Sequence, residues 1–162
     1  LYNIPGRTGV NMLPTTIARL TALPTIVGVK EGSGSVQQAS DLVQMCGDRL
    51  TVLAGDDALT LPMMAVGGKG VITVTANIVP AEMARLVAAF TEGKIEEARR
   101  IHFKLSPLFA ALFFETNPIP VKEALSLMGK IDPELRLPLC SMAQDTREKL
   151  VQVLKDSSLI TP

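Results

Sequence analysis

The 162-residue sequence has no tryptophan, one tyrosine, one histidine and two cysteines, and its 16 basic residues are balanced by 16 acidic ones. Each shortage removes a class of function. Aromatics make up 4% of the chain and Lys and Arg form no cluster, so it lacks both a basic stripe for a phosphate backbone and rings to stack on bases. Nucleic acid is excluded as a partner. The single histidine, His102, and the widely separated Cys46 and Cys140 give no metal-ligand spacing and no Cys/His nucleophile. Such cysteines fit a reducing cytoplasm and are expected to serve as small hydrophobes in a core or an interface. No apolar run reaches the roughly 18 residues that cross a bilayer, since even Leu105 to Phe114 is interrupted by Ser106 and Pro107. Membrane partners are excluded on that basis. The opening Leu1-Tyr2-Asn3 carries no initiator Met and no charged signal region, and reads as the middle of a strand.

What is present is globular: 47% hydrophobic and 20% charged residues suffice for a sizeable core. Strand-like and helix-like segments alternate at a nearly fixed interval through the first part of the chain, the pattern of a parallel sheet built from βα units. Four units are expected. A strand ending at Ile4 leads to a helix near 14–23, with Pro14 at its start. A strand over 25–30 leads to a helix over 35–46, with Ser35 as N-cap and Gly47 just past the end. A strand over 50–54 leads to a helix over 58–66. A strand over 70–74 leads to a helix over 80–91. Runs such as Val71-Ile72-Thr73-Val74 are too apolar to face water on one side and belong in a sheet covered by helices or closed into a barrel. From Gly93 onward only helices are expected, over 94–114, 120–128 and 141–154. This divides the chain into a barrel-like part, 1–93, and a helical part, 94–162. Four βα units are half of a (β/α)8 barrel, and no Gly-rich dinucleotide fingerprint supports a doubly wound sheet instead.

In parallel α/β folds the strand ends open on one side, and residues there converge from distant parts of the sequence. Three ends carry polar groups. Tyr2 closes the first strand, Lys30 the second, before the turn Glu31-Gly32-Ser33-Gly34, and Gly55-Asp56-Asp57 the third. An amine flanked by apolar residues is costly to keep charged, and burial there favours the neutral form that attacks a ketone to make a Schiff base. A phenol beside it supplies the proton shuttle that imine formation needs. Arg7 follows in the loop Pro5-Gly6-Arg7-Thr8-Gly9, where a guanidinium can clamp a substrate carboxylate. Asp56 and Asp57 either orient a substrate or cap the helix after them. Gly67-Gly68-Lys69-Gly70 precedes a strand rather than a helix, and reads as a turn rather than a phosphate cradle.

Five motifs, Tyr2 to Gly9, Gly28 to Gly34, Gly55 to Asp57, Gly70 to Asn77 and Asn117 to Lys122, together resemble the C-terminal half of the dihydrodipicolinate synthase family, in the pyruvate-dependent lyase and aldolase superfamily. The resemblance implies half of a TIM barrel, strands 5–8 with their helices, followed by a helical extension. It implies a lyase of lysine and diaminopimelate biosynthesis that condenses pyruvate with aspartate semialdehyde. Lys30 would form the imine, Tyr2 would relay protons, and Arg7 would bind the semialdehyde carboxylate. Gly55 and Asp56 would lie near the aldehyde, and Ile72 would touch the pyruvate adduct through its backbone. No metal or organic cofactor is implied, because the protonated imine is the electron sink. The resemblance also implies a cytoplasmic homo-oligomer, a tetramer built as a dimer of dimers. The family's threonine pair for the pyruvate carboxylate, its second tyrosine and most of its feedback lysine site have no counterpart here, so activity is expected to need an N-terminal half. Two alternatives stay open: a sialic-acid lyase or keto-sugar-acid aldolase sharing Lys30 and Tyr2, and a non-catalytic half-barrel interaction module.

Overall fold

Three short runs pair side by side. The computed structural model describes residues 1–161, and in it β1 (Tyr2–Asn3), β2 (Gly28–Glu31) and β3 (Thr51–Ala54) form a parallel sheet in that order. Parallel neighbours need crossovers, and helices supply them. Between β1 and β2 run α1 (Pro5–Thr8) and α2 (Pro14–Leu20), and between β2 and β3 runs α3 (Val36–Cys46). The ends of α3 follow the sequence: the Ser35 hydroxyl accepts from the Gln38 amide, and Gly47 supplies the positive φ of 53° that closes the helix.

The fourth strand expected over 70–74 is present only as a stub. Its segment meets β3 at one bridge, Ala54 with Val71, through Lys69 N to Val52 O at 2.9 Å, Ala54 N to Gly70 O at 2.8 Å and Ile72 N to Ala54 O at 2.9 Å. No further strand lies beyond it among the described residues, so only one side of the segment is held. By Thr75–Asn77 it has turned into a 3-10 turn.

Alternation sorts the side chains of the sheet. Val29, Val52 and Ala54 point toward the helices and pack with Ile17, Ala39, Leu42 and Met63, the last on α4 (Thr60–Ala65). Cys46 joins this core, and burial pushes its thiol pKa up; Cys140 is exposed rather than packed. The opposite face of the sheet is open: Tyr2 is 47% and Ile72 46% exposed.

Chain contacts divide the molecule into two compact units, Leu1–Thr73 with Val87–Ala98, and Val74–Leu86 with Arg99–Pro162. The chain passes from one to the other at Thr73–Val74 and again within α5 (Pro80–Thr91) and α6 (Ile95–Ala111). The second unit adds α7 (Ile119–Leu127) and α8 (Gln144–Asp156), and buries Leu108, Leu112, Ile119, Leu150 and Leu154. Helix α8 begins later than Ser141 because its cap is not local. The Glu115 carboxylate accepts from the Ala143 amide at 2.9 Å and from the Thr146 hydroxyl, filling the role a preceding serine would have had. No helix of the described residues is long and apolar enough to cross a membrane.

His102 lies edge-on to Phe103 and Phe109, with ring centres 5.4 and 5.7 Å away, and its buried Nδ1 has no hydrogen-bond partner among the described residues. Burial lowers its pKa, so the unfolded chain takes up the proton first as pH falls. Stability is therefore complete above the ordinary histidine pKa and is lost as pH drops through the folded value. Thermal melts at pH 7.5 and pH 5 should show a steeper loss for the parent than for His102→Gln; equal slopes would remove this histidine from the acid response.

Candidate functional site

The register that builds the sheet also builds the site. Tyr2 pairs with Lys30, and Lys30 with Leu53, so these three side chains stand in one row on the open face. The Lys30 Nζ lies 4.2 Å from the centre of the Tyr2 ring, within the range in which a cation is held by an aromatic face. An amine and a phenol are thus placed side by side at the carboxyl ends of two parallel strands. The desolvation expected for Lys30 is only partial, because the described residues leave its face uncovered: Lys30 is half-buried and Tyr2 is 47% exposed.

Arg7 is exposed on α1, which starts two residues after β1 ends. The segment expected as a loop is one helical turn. Pro5 occupies its first position, where the missing N–H is no loss, and Gly9 closes it at φ 72°. Gly55 is where β3 touches the turn after Lys30: its N–H donates to Glu31 O at 2.7 Å, and a Cβ there would sit 2.9 Å from Gly32 Cα. Only glycine allows that approach. Asp56 caps the following 3-10 turn by accepting from the Ala58 amide at 2.9 Å, and Asp57 is buried at 2% exposure. Ile72, one residue past the bridge at Val71, falls on the Lys30 face. Gly67 and Gly68 close a turn after α4, donating to Met64 O and Met63 O, as expected of a connection rather than a ligand cradle.

Behind the Lys30 face lies a polar cluster that the sequence reading did not single out. Glu31, expected as the first residue of a turn, is the last residue of β2 and is fully buried. Its carboxylate accepts from Asn3 Nδ2 at 3.1 and 3.3 Å, from the Ser33 amide at 2.7 Å and from Gln38 Nε2 at 3.1 Å. A buried carboxylate is tolerable only with such a set of donors. The cluster extends to the chain beyond α1. Asn3 Nδ2 also donates to Asn11 Oδ1 at 2.9 Å, Asn3 Oδ1 accepts from the Met12 amide at 2.9 Å, and Asn11 and Gln38 exchange hydrogen bonds at 3.0 and 3.1 Å. Parity was the available signal: Glu31 shares the side of Val29 in a strand, which points it at the helices rather than at water.

A parallel sheet with helical crossovers, carrying the Lys30 amine over the Tyr2 ring at its strand ends, has the architecture of an α/β-barrel segment. A family model described as the dihydrodipicolinate synthetase family matches residues 1–157, and the chain belongs to that family. Among curated relatives, the 4-hydroxy-tetrahydrodipicolinate synthase of Thermodesulfovibrio yellowstonii is 58% identical over 160 residues, 99% of this chain and 55% of that protein. The solved structure of dihydrodipicolinate synthase from Aquifex aeolicus superposes with a TM-score of 0.96 at 44% identity, covering 99% of this chain and 56% of that one. The chloride-inhibited enzyme from Acinetobacter baumannii, solved with pyruvate, gives 0.95 at 41% identity, covering 99% of this chain and 55% of that one. The chain thus spans about half the length of the relatives it matches, and its fold is the C-terminal half of their (β/α)8 barrel with the helices that follow.

Proposed function

We propose that this chain carries the imine-forming half of a 4-hydroxy-tetrahydrodipicolinate synthase, condensing pyruvate with L-aspartate 4-semialdehyde in lysine and diaminopimelate biosynthesis. The observation that carries the reading is the Lys30 amine seated 4.2 Å over the Tyr2 ring, in a chain of this family. In its neutral form the Lys30 Nζ attacks C2 of pyruvate, forming a C–N bond; the carbinolamine hydroxyl leaves as water with a proton from the Tyr2 phenol. The protonated imine draws the C3–H electron pair toward itself as the Tyr2 phenolate takes the C3 proton, and C3 of the resulting enamine forms a C–C bond to the aldehyde carbon while the aldehyde oxygen takes a proton back from Tyr2. The imine serves as its own electron sink, so the scheme gives no step to a metal or organic cofactor. Arg7 holds the semialdehyde carboxylate, with Gly55 and Asp56 beside the aldehyde and Ile72 against the adduct. The open sheet face is closed by the half of the barrel that the relatives possess and this chain does not span. The proposed assembly is a homo-oligomer, a dimer of dimers.

The test is borohydride trapping with pyruvate followed by peptide mass spectrometry. It is applied to the chain as it is, and to the chain joined behind the unmatched N-terminal part of the Thermodesulfovibrio yellowstonii relative. An adduct on Lys30 in the completed protein is expected. A folded, completed protein without an adduct would leave the non-catalytic module as the better reading. A sugar-acid lyase would share Lys30 and Tyr2, and Arg7 separates the two. Arg7→Ala should raise the KM for the semialdehyde on the order of 100-fold, the scale of losing one partner of a charge pair, while pyruvate trapping changes little. Equal loss of both would remove Arg7 from its assigned role.

A further inference from the structure

The exchange of hydrogen bonds behind the Lys30 face joins two segments that carry different parts of the proposed chemistry. Lys30 and Glu31 are consecutive in β2 and project to opposite sides of the sheet, as do Tyr2 and Asn3 in β1. The register that places Tyr2 beside Lys30 therefore places Asn3 beside Glu31. Asn3 is also the gatepost of the segment bearing Arg7. That segment leaves β1 at Ile4 and returns at Asn11 and Met12, where Asn3 takes hold of both: its Nδ2 donates to Asn11 Oδ1, and its Oδ1 accepts from the Met12 amide. Gln38, from α3, bridges Asn11 to the Glu31 carboxylate. The Ser33 amide, in the turn after Lys30, donates to the same carboxylate. Apart from the local Ser33 amide, each polar side chain of the cluster thus has its partners on another segment: β1, the return of the Arg7 segment, β2 or α3.

We propose that Asn11, held by Asn3, Gln38 and through them by Glu31, is a positioning residue that fixes the Arg7 segment relative to Lys30, and so governs use of the carboxylate-bearing aldehyde without governing imine formation. This rests on the reading of Lys30 and Arg7 given above. A purely structural cluster would hold the fold and affect both substrates alike. A positioning cluster acts on the second substrate alone, because Lys30 and Tyr2 are additionally fixed by backbone pairing of their strands, including Lys30 N to Leu1 O at 2.9 Å and Gly32 N to Asn3 O at 2.8 Å. Asn11 is the member to change, since it is exposed while Asn3 and Glu31 are buried, and its loss leaves the Glu31 carboxylate three donors.

The experiment is a double-mutant cycle on Asn11→Ala and Arg7→Ala in the completed protein, read by pyruvate trapping on Lys30 and by the KM for aspartate semialdehyde. Asn11→Ala should trap pyruvate within about twofold of the parent rate and raise the aldehyde KM roughly tenfold, as a misplaced binding group does. Added to Arg7→Ala, it should raise that KM by less than about twofold, because the group it positions is already gone. Multiplying effects, an unchanged aldehyde KM in the single variant, or equal loss of trapping and aldehyde use would each overturn the assignment. A parent protein that traps no pyruvate would instead overturn the Schiff-base reading and take this one with it, a result visible before any variant is made.

Discussion

In the protein completed with an N-terminal half, Lys30→Ala is expected to abolish the borohydride-trapped pyruvate adduct and to lower turnover by roughly 10⁶-fold, the scale seen when an enzyme loses its covalent nucleophile. The fold should survive. Lys30 stands on the open face of the sheet, away from the packed side occupied by Val29, Val52 and Ala54. Its strand is held through main-chain bonds that alanine keeps. The side-chain interaction given up is the contact with the Tyr2 ring, which at an exposed site contributes about 0.5–1 kcal/mol. Circular dichroism and the thermal midpoint should therefore stay close to those of the parent while chemistry disappears. An adduct that persists in Lys30→Ala, on any other lysine, would move the nucleophile elsewhere and dissolve the proposed site.

Tyr2→Phe separates the hydroxyl from the ring. The phenyl group keeps the surface on which the Lys30 Nζ rests at 4.2 Å, so the amine stays where it is and only the hydroxyl, the proposed proton donor, is removed. Pyruvate should still form an adduct, but more slowly, and turnover should fall by roughly 10²–10⁴-fold, the usual contribution of one general acid or base. A trapping time course at fixed pH gives the rate of imine formation directly. Phe at position 2 with the parent's rate would show that water, or a group outside these residues, moves the proton. Because Tyr2 and Lys30 are register partners, a change at Tyr2 that disturbed the sheet would also shift the amine. The conservative ring is what makes the comparison clean.

The βα rhythm, the Ser35 and Gly47 ends of α3, and helix α5 were legible because each depends on local chemistry: a hydroxyl before an apolar run, a glycine after it, a proline at a helix start. The convergence of Lys30 and Tyr2 was legible for a topological reason, since parallel strands deliver their carboxyl ends to one side. What escaped the sequence was set by partners distant along the chain. Glu31 was read as the first residue of a turn because its side-chain donors, Asn3 and Gln38, lie in β1 and α3, and only the parity it shares with Val29 marked the side it faces. The one-turn helix at Arg7 was hidden by Pro5 and Gly9, which read as loop residues but here sit at the positions that suit a helix start and its end. The beginning of α8 was misplaced because its cap is a glutamate 28 residues earlier. The fourth strand was overestimated because apolar composition says where an extended segment would like to be, whereas pairing on both sides decides how far it extends.

The odd-and-even arrangement of β1 and β2 has a practical outcome for anyone wishing to retarget this scaffold. Positions on the Tyr2 and Lys30 side other than that pair itself, such as Leu53 and Ile72, can be varied to admit other acceptor molecules, while Asn3 and Glu31, one residue along on each ribbon and facing away, stay untouched as the fastening. Libraries confined to one parity of these strands should therefore yield a far larger share of folded variants than libraries that randomise consecutive residues.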